Sequence, residues 1–235
     1  MICPPGVFDA AGALFYRNAA NGAFMFTSRY CLSDSESLFQ TASMYPDVFK
    51  PRPAESHKGT YGTLAVIGGA EGMSGAVVLA ATAAAYVGCG KVWAGFNQRQ
   101  LPFAVIDGRP EIMLATAQNL LLRNDADARA VGCGLGLDEA ASSIVAAALS
   151  EADGKPLLLD ADALTLLSRS SELQRLAARH GNLILTPHPA EAARLLSAST
   201  QAAQQDRMSA VQTISATFQA VTVLKGHRTL IAAPD

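Results

Sequence analysis

The chain has 235 residues, of which 50% are hydrophobic and 16% are charged, and its 18 basic and 20 acidic residues give a net charge of −2. A composition this apolar excludes an intrinsically disordered protein, and the length suits one large domain or one domain with an extension. The near balance of charges argues against a surface that binds nucleic acid or an acidic membrane. No apolar segment is long enough to span a bilayer.

The four cysteines give no sign of a metal site. They are Cys3, Cys31, Cys89 and Cys133, and they form no CxxC pair and no Cys/His spacing typical of metal ligands. Residues 1–12 contain two prolines and no basic segment, which makes a poor export signal. We therefore predict a cytoplasmic protein with reduced thiols.

Residues 1–49 differ in composition from the rest of the chain. They hold six of the nine phenylalanines and three of the five tyrosines, and they contain no recognisable motif. Residues 33–36 could cap a short helix that begins near Leu38. We predict an N-terminal arm over residues 1–49, and a second unit over residues 50–235 that begins with the stiff segment Pro51-Arg52-Pro53.

From His57 onward, apolar strands alternate with helices. The pattern predicts strands over 64–67, 91–96, 127–132, 156–159, 183–185, 221–224 and 229–232, and helices over 75–87, 138–149, 162–168, 189–196 and 206–219. Residues 97–112 are rich in loop signals. This alternation predicts an α/β fold with a mainly parallel sheet, and ligands of such sheets bind beyond the carboxyl ends of the strands.

The loops that follow these strands are the candidates for a ligand site. They are residues 68–75, 132–136, 160–162 and 186–191, and the turn after Leu224. The first loop leads into a helix of small apolar residues, whose free N–H groups could hold a phosphate, and a tight turn without ligand is an equal alternative. Neither glycine loop has the residue order of a dinucleotide fingerprint or a P-loop, which disfavours a Rossmann dehydrogenase and a P-loop kinase.

The segment 186–191 is the more specific signal, because two prolines hold His188 at the end of a strand. This position favours a ligand contact over an incidental surface role. Pro189 suits the first residue of a helix, so Glu191 would lie in the first turn. There it would either cap the helix or hold Mg²⁺ through water, and both alternatives are open.

Two further polar segments leave their roles open. We expect Asp162 to be the N-cap of the following helix, while Asp160 lies nearer the ligand edge and could contact a ligand. In Lys225-Gly226, the lysine could supply a positive charge to a phosphate and the glycine, without a side chain, could let the phosphate approach the backbone. The alternative is an ordinary hairpin turn. The spacing of polar residues assembles no Ser/His/Asp triad and no nucleophilic cysteine.

Six blocks taken together resemble one family. They are residues 57–62, 66–76, 132–136, 157–164, 185–196 and 223–235, which stand in the family's order and span about residues 50–235. The family is that of the nucleotide-dependent NAD(P)H-hydrate dehydratases. The resemblance implies a ribokinase-like three-layer α/β/α sandwich. It also implies an enzyme that repairs hydrated NADH and NADPH by phosphorylating the hydroxyl group of the hydrate and then eliminating phosphate. Bacterial members use ADP for this purpose and eukaryotic members use ATP.

Matched residue by residue, the resemblance implies a site for each ligand. Ala76, Gly134 and His188 would contact the hydrated dinucleotide, Glu191 would lie near Mg²⁺, and Lys225, Gly226, His227, Arg228 and Thr229 would line the adenine nucleotide. The same resemblance implies a homo-oligomer, commonly a tetramer. Phosphoryl transfer agrees with such a site, since it depends on positioning, Mg²⁺ and N–H dipoles more than on covalent catalysis.

Two departures from the family pattern matter. Cys133 stands where the family has a proline, which a loop tolerates. The family's next block, a glycine-rich anion hole ending in Gly-Asp that supplies the general base, would lie beyond Asp235. The family's N-terminal epimerase domain does not fit into about 50 unmatched residues. The resemblance therefore implies a truncated dehydratase domain with impaired catalysis, whose catalytic residue lies outside this sequence.

Two other functions stay open on the sequence alone. A kinase for a small vitamin or sugar would share the fold, and it would accumulate a phosphorylated product. An inactive nucleotide-binding remnant would instead be stabilised by nucleotide without turnover.

Overall fold

The fold is organised around one eight-stranded sheet. The computed structural model describes residues 51–151 and 154–234, together with Ser43 and three short strands near the N terminus. Those strands are β1 (Val7–Phe8), β2 (Leu14–Arg17) and β3 (Phe24–Thr27), which form a small antiparallel sheet. The helix predicted near Leu38 lies outside the described residues.

The main unit begins with a short 3-10 helix at Lys58–Tyr61. Its strands are β4 (Thr63–Gly68), β5 (Lys91–Phe96), β6 (Met113–Thr116), β7 (Ala128–Val131), β8 (Leu157–Leu159), β9 (Leu183–Leu185), β10 (Val221–Leu224) and β11 (Leu230–Ala232). Its helices are α1 (Ser74–Val87), α2 (Ala117–Leu121), α3 (Glu139–Leu149), α4 (Asp162–Arg169), α5 (Ser171–Ala177), α6 (Pro189–Leu195), α7 (Thr200–Gln205) and α8 (Arg207–Phe218).

The order of the strands creates a crevice beside β4. The order is β11-β10-β9-β8-β7-β4-β5-β6, and all neighbours are parallel except β10 and β11. The chain therefore runs outward from β4 to β6 and returns to the other side of β4 with β7. The connections after β4 and β7 leave toward opposite faces, which makes this pair of strands the topological switch point.

Alternate residues of β4 face two separate cores, because successive side chains of a strand point to opposite sides. Ala65 and Ile67 belong to a large core with residues of α2–α6 and α8. Val66 instead packs into a smaller core with Val77 and Ala81 of α1. Helices thus cover both faces of the sheet, as the expected α/β/α layering requires.

The face on the α1 side is covered less completely. Helix α1 packs over β4 and β5. Farther along the sheet, the paired residues Ala130, Leu158 and Ile184 of β7, β8 and β9 are only half-buried, and Ile231 of β11 is 38% exposed.

Every strand and helix predicted after His57 is present, with bounds that agree to within one residue. The sequence analysis missed β6, α2, α5 and α7. Strand β6 passes directly into α2 without a glycine or proline to mark the boundary, and a single residue, Ser170, separates α4 from α5. Among the described residues, no helix combines the length and the apolar character needed to cross a membrane.

Candidate functional site

The candidate site lies at the carboxyl edge of the sheet, where the loops after β4, β7, β9 and β10 are joined by hydrogen bonds. The N–H of Gly69 donates to the carbonyl of Cys133 over 3.0 Å, which links the loops after β4 and β7. The N–H of Lys225 donates to the carbonyl of Pro187 over 2.8 Å, which links the loops after β10 and β9. The loop after β8 connects the two pairs, since Asp162 accepts from Gly136 and Asp160 accepts from Lys225, so the loops selected from the sequence are neighbours in space.

The glycine turn after β4 lies against the turn after β7. The N–H of Ala70 donates to the carbonyl of Gly134 over 2.6 Å, and the carbonyl of Cys133 lies where a side chain at Gly68 would have to go. Gln98 holds the turn from the other side, since its amide donates to the carbonyl of Gly69 and to the hydroxyl of Ser74, each over 2.8 Å. The turn is thus fixed on both sides.

Ala76 and Gly134, both predicted to contact the dinucleotide, lie together. Gly134 has a φ of 60°, which a residue with a side chain rarely adopts. A Cβ atom built there would lie 3.2 Å from the Cβ of Ala76 and 2.8 Å from the Cβ of Met73. The small size of both residues lets the two turns meet at the switch point.

His188 is the N-cap of α6. Its Nδ1 accepts hydrogen bonds from the N–H groups of Ala190 and Glu191, over 3.1 and 3.3 Å. The nitrogen that accepts them carries no proton, so the ring proton is on Nε2, which lies 3.2 Å from Oε1 of Glu191. The side chain of His188 is still 47% exposed, so part of the imidazole is open to a ligand at this edge.

Glu191 completes the cap. Its Oε2 accepts a hydrogen bond from the N–H of His188 over 2.8 Å, and its side chain is only 6% exposed. This is a capping box with Pro189 at the first helical position, as the sequence predicted for one of the two roles left open. The metal-proximal role of Glu191 stays a prediction.

Lys225 links the loops after β8, β9 and β10. Its Nζ lies 2.8 Å from Oδ1 of Asp160, with 41% and 36% of the two side chains exposed. The same Oδ1 accepts the N–H of Ala161 over 2.8 Å. Asp160 therefore fixes the position of the predicted nucleotide-binding lysine.

Asp162 is not the N-cap that the sequence suggested. The N-cap of α4 is Ala161, whose φ of 50° is unusual for a residue with a side chain. Oδ2 of Asp162 accepts a hydrogen bond from the N–H of Gly136 over 2.9 Å. The carboxylate thus supports the glycine loop after β7 rather than its own helix.

The turn at residues 225–229 connects the antiparallel strands β10 and β11, and it exposes Gly226, His227 and Arg228. The hydroxyl of Thr229 donates to the carbonyl of Gly226 over 3.3 Å and closes the turn. Two cationic side chains, Lys225 and Arg228, thus belong to one exposed turn.

Arg207, the first residue of α8, fixes the start of this turn by hydrogen bonds to its backbone. Its guanidinium donates to the carbonyls of Leu224 and Lys225 over 3.2 and 3.3 Å. Gly226 has a φ of 155°, which a residue with a side chain rarely adopts, and a Cβ there would lie 2.8 Å from the guanidinium of Arg207. The sequence analysis missed Arg207, and its place at a helix start gave no signal for this contact.

A cleft of about 670 Å³ opens on the far side of the glycine turn. It is lined by Ala70, Glu71, Asn97, Gln98, Arg99, Thr116, Gln118, Asp138 and Ala140. Asn97, which also donates to the carbonyl of Leu135 over 2.9 Å, directly follows β5. The polar run that starts at Asn97 was a usable signal, because it follows a strand as the other site loops do.

Neither described cysteine is suited to nucleophilic catalysis. Burial, with a smaller contribution from the charges of Asp160 and Asp162, raises the pKa of the Cys133 thiol to about 11. Burial also raises the pKa of Cys89. A raised pKa favours the protonated thiol over the nucleophilic thiolate at both positions.

Comparison with known proteins identifies the family. The profile of the family NAD(P)H-hydrate dehydratase matches residues 64–235. An ADP-dependent (S)-NAD(P)H-hydrate dehydratase of Neisseria meningitidis is 60% identical over 198 residues, which cover 84% of this chain and 67% of that protein. A bifunctional NAD(P)H-hydrate repair enzyme of Escherichia coli is 37% identical, over 79% of this chain and 35% of that protein.

Solved structures agree on the fold. The ADP/ATP-dependent NAD(P)H-hydrate dehydratase of Bacillus subtilis, co-crystallised with ATP/Mg²⁺, is 33% identical with a TM-score of 0.66, over 79% of this chain and 65% of that one. A ribokinase-like superfamily protein of Enterococcus faecalis is 26% identical with a TM-score of 0.67, over 78% of this chain and 64% of that one. The expected ribokinase-like fold is thereby confirmed.

The chain is shorter than the proteins it matches. It spans 67% of the Neisseria dehydratase and 35% of the bifunctional E. coli enzyme. Within the shared part, the profile match over residues 64–235 and the 60% identity show that the chain belongs to the NAD(P)H-hydrate dehydratase family.

Proposed function

We propose that this chain provides the ligand-binding edge of an NAD(P)H-hydrate dehydratase that uses ADP or ATP. The observation that carries the proposal is that small uncharged residues, Ala76 and Gly134, lie at the same edge of the sheet as the cationic turn at residues 225–229. Hydrogen bonds join Gly69 to Cys133 and Lys225 to Pro187, and the loop after β8 links these two pairs through Asp162, which accepts from Gly136, and Asp160, which accepts from Lys225. Ligands of open parallel sheets bind at such an edge.

The hydrated dinucleotide would lie along the switch point. Ala76 and Gly134 form a small-residue wall there, and His188 faces the same edge with its ring orientation fixed by Glu191. The adjoining cleft of about 670 Å³ has the size of an ordinary small-molecule site. We assign the wall to the nicotinamide end and the cleft to the remainder of the dinucleotide.

The adenine nucleotide would lie against the turn at residues 225–229. Lys225 and Arg228 supply positive charge for phosphate oxygens, and Gly226 lets a phosphate approach the backbone. Arg207 keeps the turn in place through its bonds to the carbonyls of Leu224 and Lys225. The turn is partly exposed, which suits a site that exchanges nucleotide.

The reaction is a phosphoryl transfer that depends on how the hydrate and the nucleotide are positioned. The hydroxyl oxygen of the hydrate attacks the terminal phosphorus of ADP or ATP, the bond to the bridging oxygen breaks, and AMP or ADP leaves. Loss of the phosphate ester with a neighbouring proton restores the ring double bond. The products are NAD(P)H, inorganic phosphate and the shortened nucleotide. His188, Ala76 and Gly134 bind and orient the ring, and Lys225 stabilises phosphate charge.

Mg²⁺ fits this site only with ligands from water and nucleotide. Among the described residues, no group of three or more His, Cys, Asp or Glu side chains could hold a metal ion. Mg²⁺ commonly keeps several waters and binds through one or two carboxylates and substrate phosphates, so this is no objection. Glu191 would act through water, since both of its oxygens already contact His188. Bound Mg²⁺ would neutralise charge on the phosphates.

The test measures recovery of reduced-nicotinamide absorbance from the S-hydrates of NADH and NADPH with ADP or ATP and Mg²⁺. It should use the protein as its gene encodes it. Recovery of NAD(P)H together with released phosphate supports the proposal. Accumulation of a phosphorylated product indicates a kinase of the same fold, and nucleotide-dependent thermal stabilisation without turnover indicates a binding protein.

Three further expectations belong to the proposal; the first two rest on the composition of the sequence and the third on the family resemblance. They are a cytoplasmic location, a folded unit over residues 50–235 with the preceding residues as an arm, and a homo-oligomer, commonly a tetramer. Limited proteolysis between residues 49 and 54 would test the second. Sedimentation analysis would test the third.

A further inference from the structure

Asp160 lies between the glycine loop after β7 and the cationic turn at residues 225–229. Its backbone packs against the glycine loop, since its carbonyl oxygen lies where a side chain at Gly132 would have to go. Its side chain reaches the other way, to the Nζ of Lys225 at 2.8 Å. Asp160 therefore stands between the proposed sites of the dinucleotide and the nucleotide, where a phosphoryl group would pass from one ligand to the other.

The ion pair of Asp160 and Lys225 can be broken at little cost. The two side chains are 36% and 41% exposed, and ion pairs that are this open to water contribute little to stability. Among the described residues, no other acceptor holds the ammonium of Lys225. The carboxylate of Asp160 uses only Oδ1, for Lys225 and for the N–H of Ala161, so its Oδ2 has no hydrogen-bond partner in the part of the chain that the structure describes.

Nucleotide binding leaves a negative charge uncompensated at this position. When the ammonium of Lys225 turns to a phosphate, Asp160 becomes an unpaired carboxylate beside an anion, and the two like charges repel. Glu191 does not relieve the repulsion, because it is a carboxylate whose oxygens are both engaged with His188. A cation that takes the place of the ammonium would remove it.

We propose that Asp160 exchanges the ammonium of Lys225 for Mg²⁺ when the nucleotide binds, an inference that rests on the proposed function. One carboxylate, phosphate oxygens and several waters are a usual set of partners for Mg²⁺. The exchange lets Lys225 bind phosphate without leaving a bare carboxylate behind. Asp160 thus makes nucleotide binding depend on Mg²⁺, and the site prefers the magnesium complex of the nucleotide to the free nucleotide.

Calorimetric titration of the native protein with ADP, in excess Mg²⁺ and in EDTA, tests this dependence. Mg²⁺ should strengthen ADP binding at least about tenfold in the native protein and only about twofold in Asp160→Asn. The loss should arise in Mg²⁺, since in EDTA the variant should bind ADP at least as tightly as the native protein. Asp160→Glu keeps the charge and should keep most of the strengthening.

Glu111→Gln is the matched control. Glu111 also forms a partly exposed ion pair, with Arg109 over 3.5 Å, but it precedes β6 and so lies at the opposite edge of the sheet. This variant should keep the native response to Mg²⁺. Thermal unfolding of each variant checks that it is folded.

A second measurement needs no nucleotide. Lys225→Met frees the carboxylate of Asp160, so electron paramagnetic resonance should show Mn²⁺ binding to this variant several-fold more tightly than to the native protein. The double variant Lys225→Met/Asp160→Asn should lose that gain.

The exchange is overturned if Asp160→Asn keeps the native strengthening by Mg²⁺, or if Glu111→Gln loses as much of it. It is equally overturned if Lys225→Met binds Mn²⁺ no better than the native protein. A native protein that binds ADP neither with nor without Mg²⁺ would refute the proposed function itself, which distinguishes the two failures.

Discussion

Replacement of His188 by alanine is the sharpest test of the proposed geometry, because this residue has both a structural and a binding role. Its Nδ1 caps α6, and its Nε2 faces Oε1 of Glu191 at 3.2 Å. Alanine removes both interactions and the exposed part of the ring. We expect lower stability and weaker dinucleotide binding together.

The expected loss of stability can be estimated from its two parts. Loss of a side-chain N-cap costs about 1 kcal/mol. The Glu191 side chain is 6% exposed and would lose a partner, which adds about 1–3 kcal/mol. In a domain of this size each kcal/mol lowers the melting temperature by roughly 2–4 °C, so a loss of about 2–4 kcal/mol in His188→Ala should lower it by roughly 4–16 °C.

Two matched variants separate these parts in denaturant titrations and thermal unfolding. His188→Asn keeps an oxygen that can cap the helix, so it should lose about half as much stability as His188→Ala. Ser170→Ala removes the N-cap of α5, where no buried carboxylate depends on it, and measures the capping part alone. Equal losses in His188→Ala and His188→Asn, or no loss in either, would refute the capping argument. The asparagine variant should still bind NADPH several-fold more weakly, because the imidazole is gone.

Three other predictions concern the two ends of the site. Lys225→Met should weaken ADP binding about tenfold, and Asp160→Asn should weaken it several-fold, as measured by calorimetry in the presence of Mg²⁺. Each variant should lose less than about 1 kcal/mol of stability in a denaturant titration, because the pair is partly exposed. Arg99 is the cation among the described residues that line the cleft, so Arg99→Gln should weaken NADPH binding about fivefold more than NADH binding, as measured by fluorescence titration. Gly134→Ala should destabilise the fold by about 1–3 kcal/mol and reduce dinucleotide affinity. The reason is that the φ of Gly134 is 60° and a Cβ there would lie 2.8 Å from the Cβ of Met73. A normal melting temperature of this variant would contradict the prediction.

The regular part of the fold follows from local signals in the sequence. Strand β4 is an apolar run that stops at two glycines, and α1 is a run of helix-forming residues that ends at Gly88 in the left-handed conformation. Strand β6 gave no such signal, because its four residues are all half-buried and the chain enters α2 at once. It belongs to the sheet only through its pairing with β5, which a local pattern cannot reveal.

The site was predictable where a residue's position along a strand decides its role. His188 and Lys225 follow strands β9 and β10, and a parallel sheet brings such positions to one edge. Roles that depend on contacts between distant segments were not predictable. Asp162 bonds to Gly136, and Arg207 to Leu224, across separations that no spacing rule covers.

The hydrogen bonds of the glycine turn after β4 bear on its two interpretations. A phosphate cradle needs free N–H groups, but the N–H groups of Gly69 and Ala70 already donate to the carbonyls of Cys133 and Gly134. The carbonyl of Gly69 is likewise bound, to Gln98. Phosphate therefore has no ready donors at these positions of the turn, while the cationic turn that begins at Lys225 lies across the edge. An uncharged wall facing a cationic turn suits a reaction that holds a neutral ring beside a highly charged nucleotide.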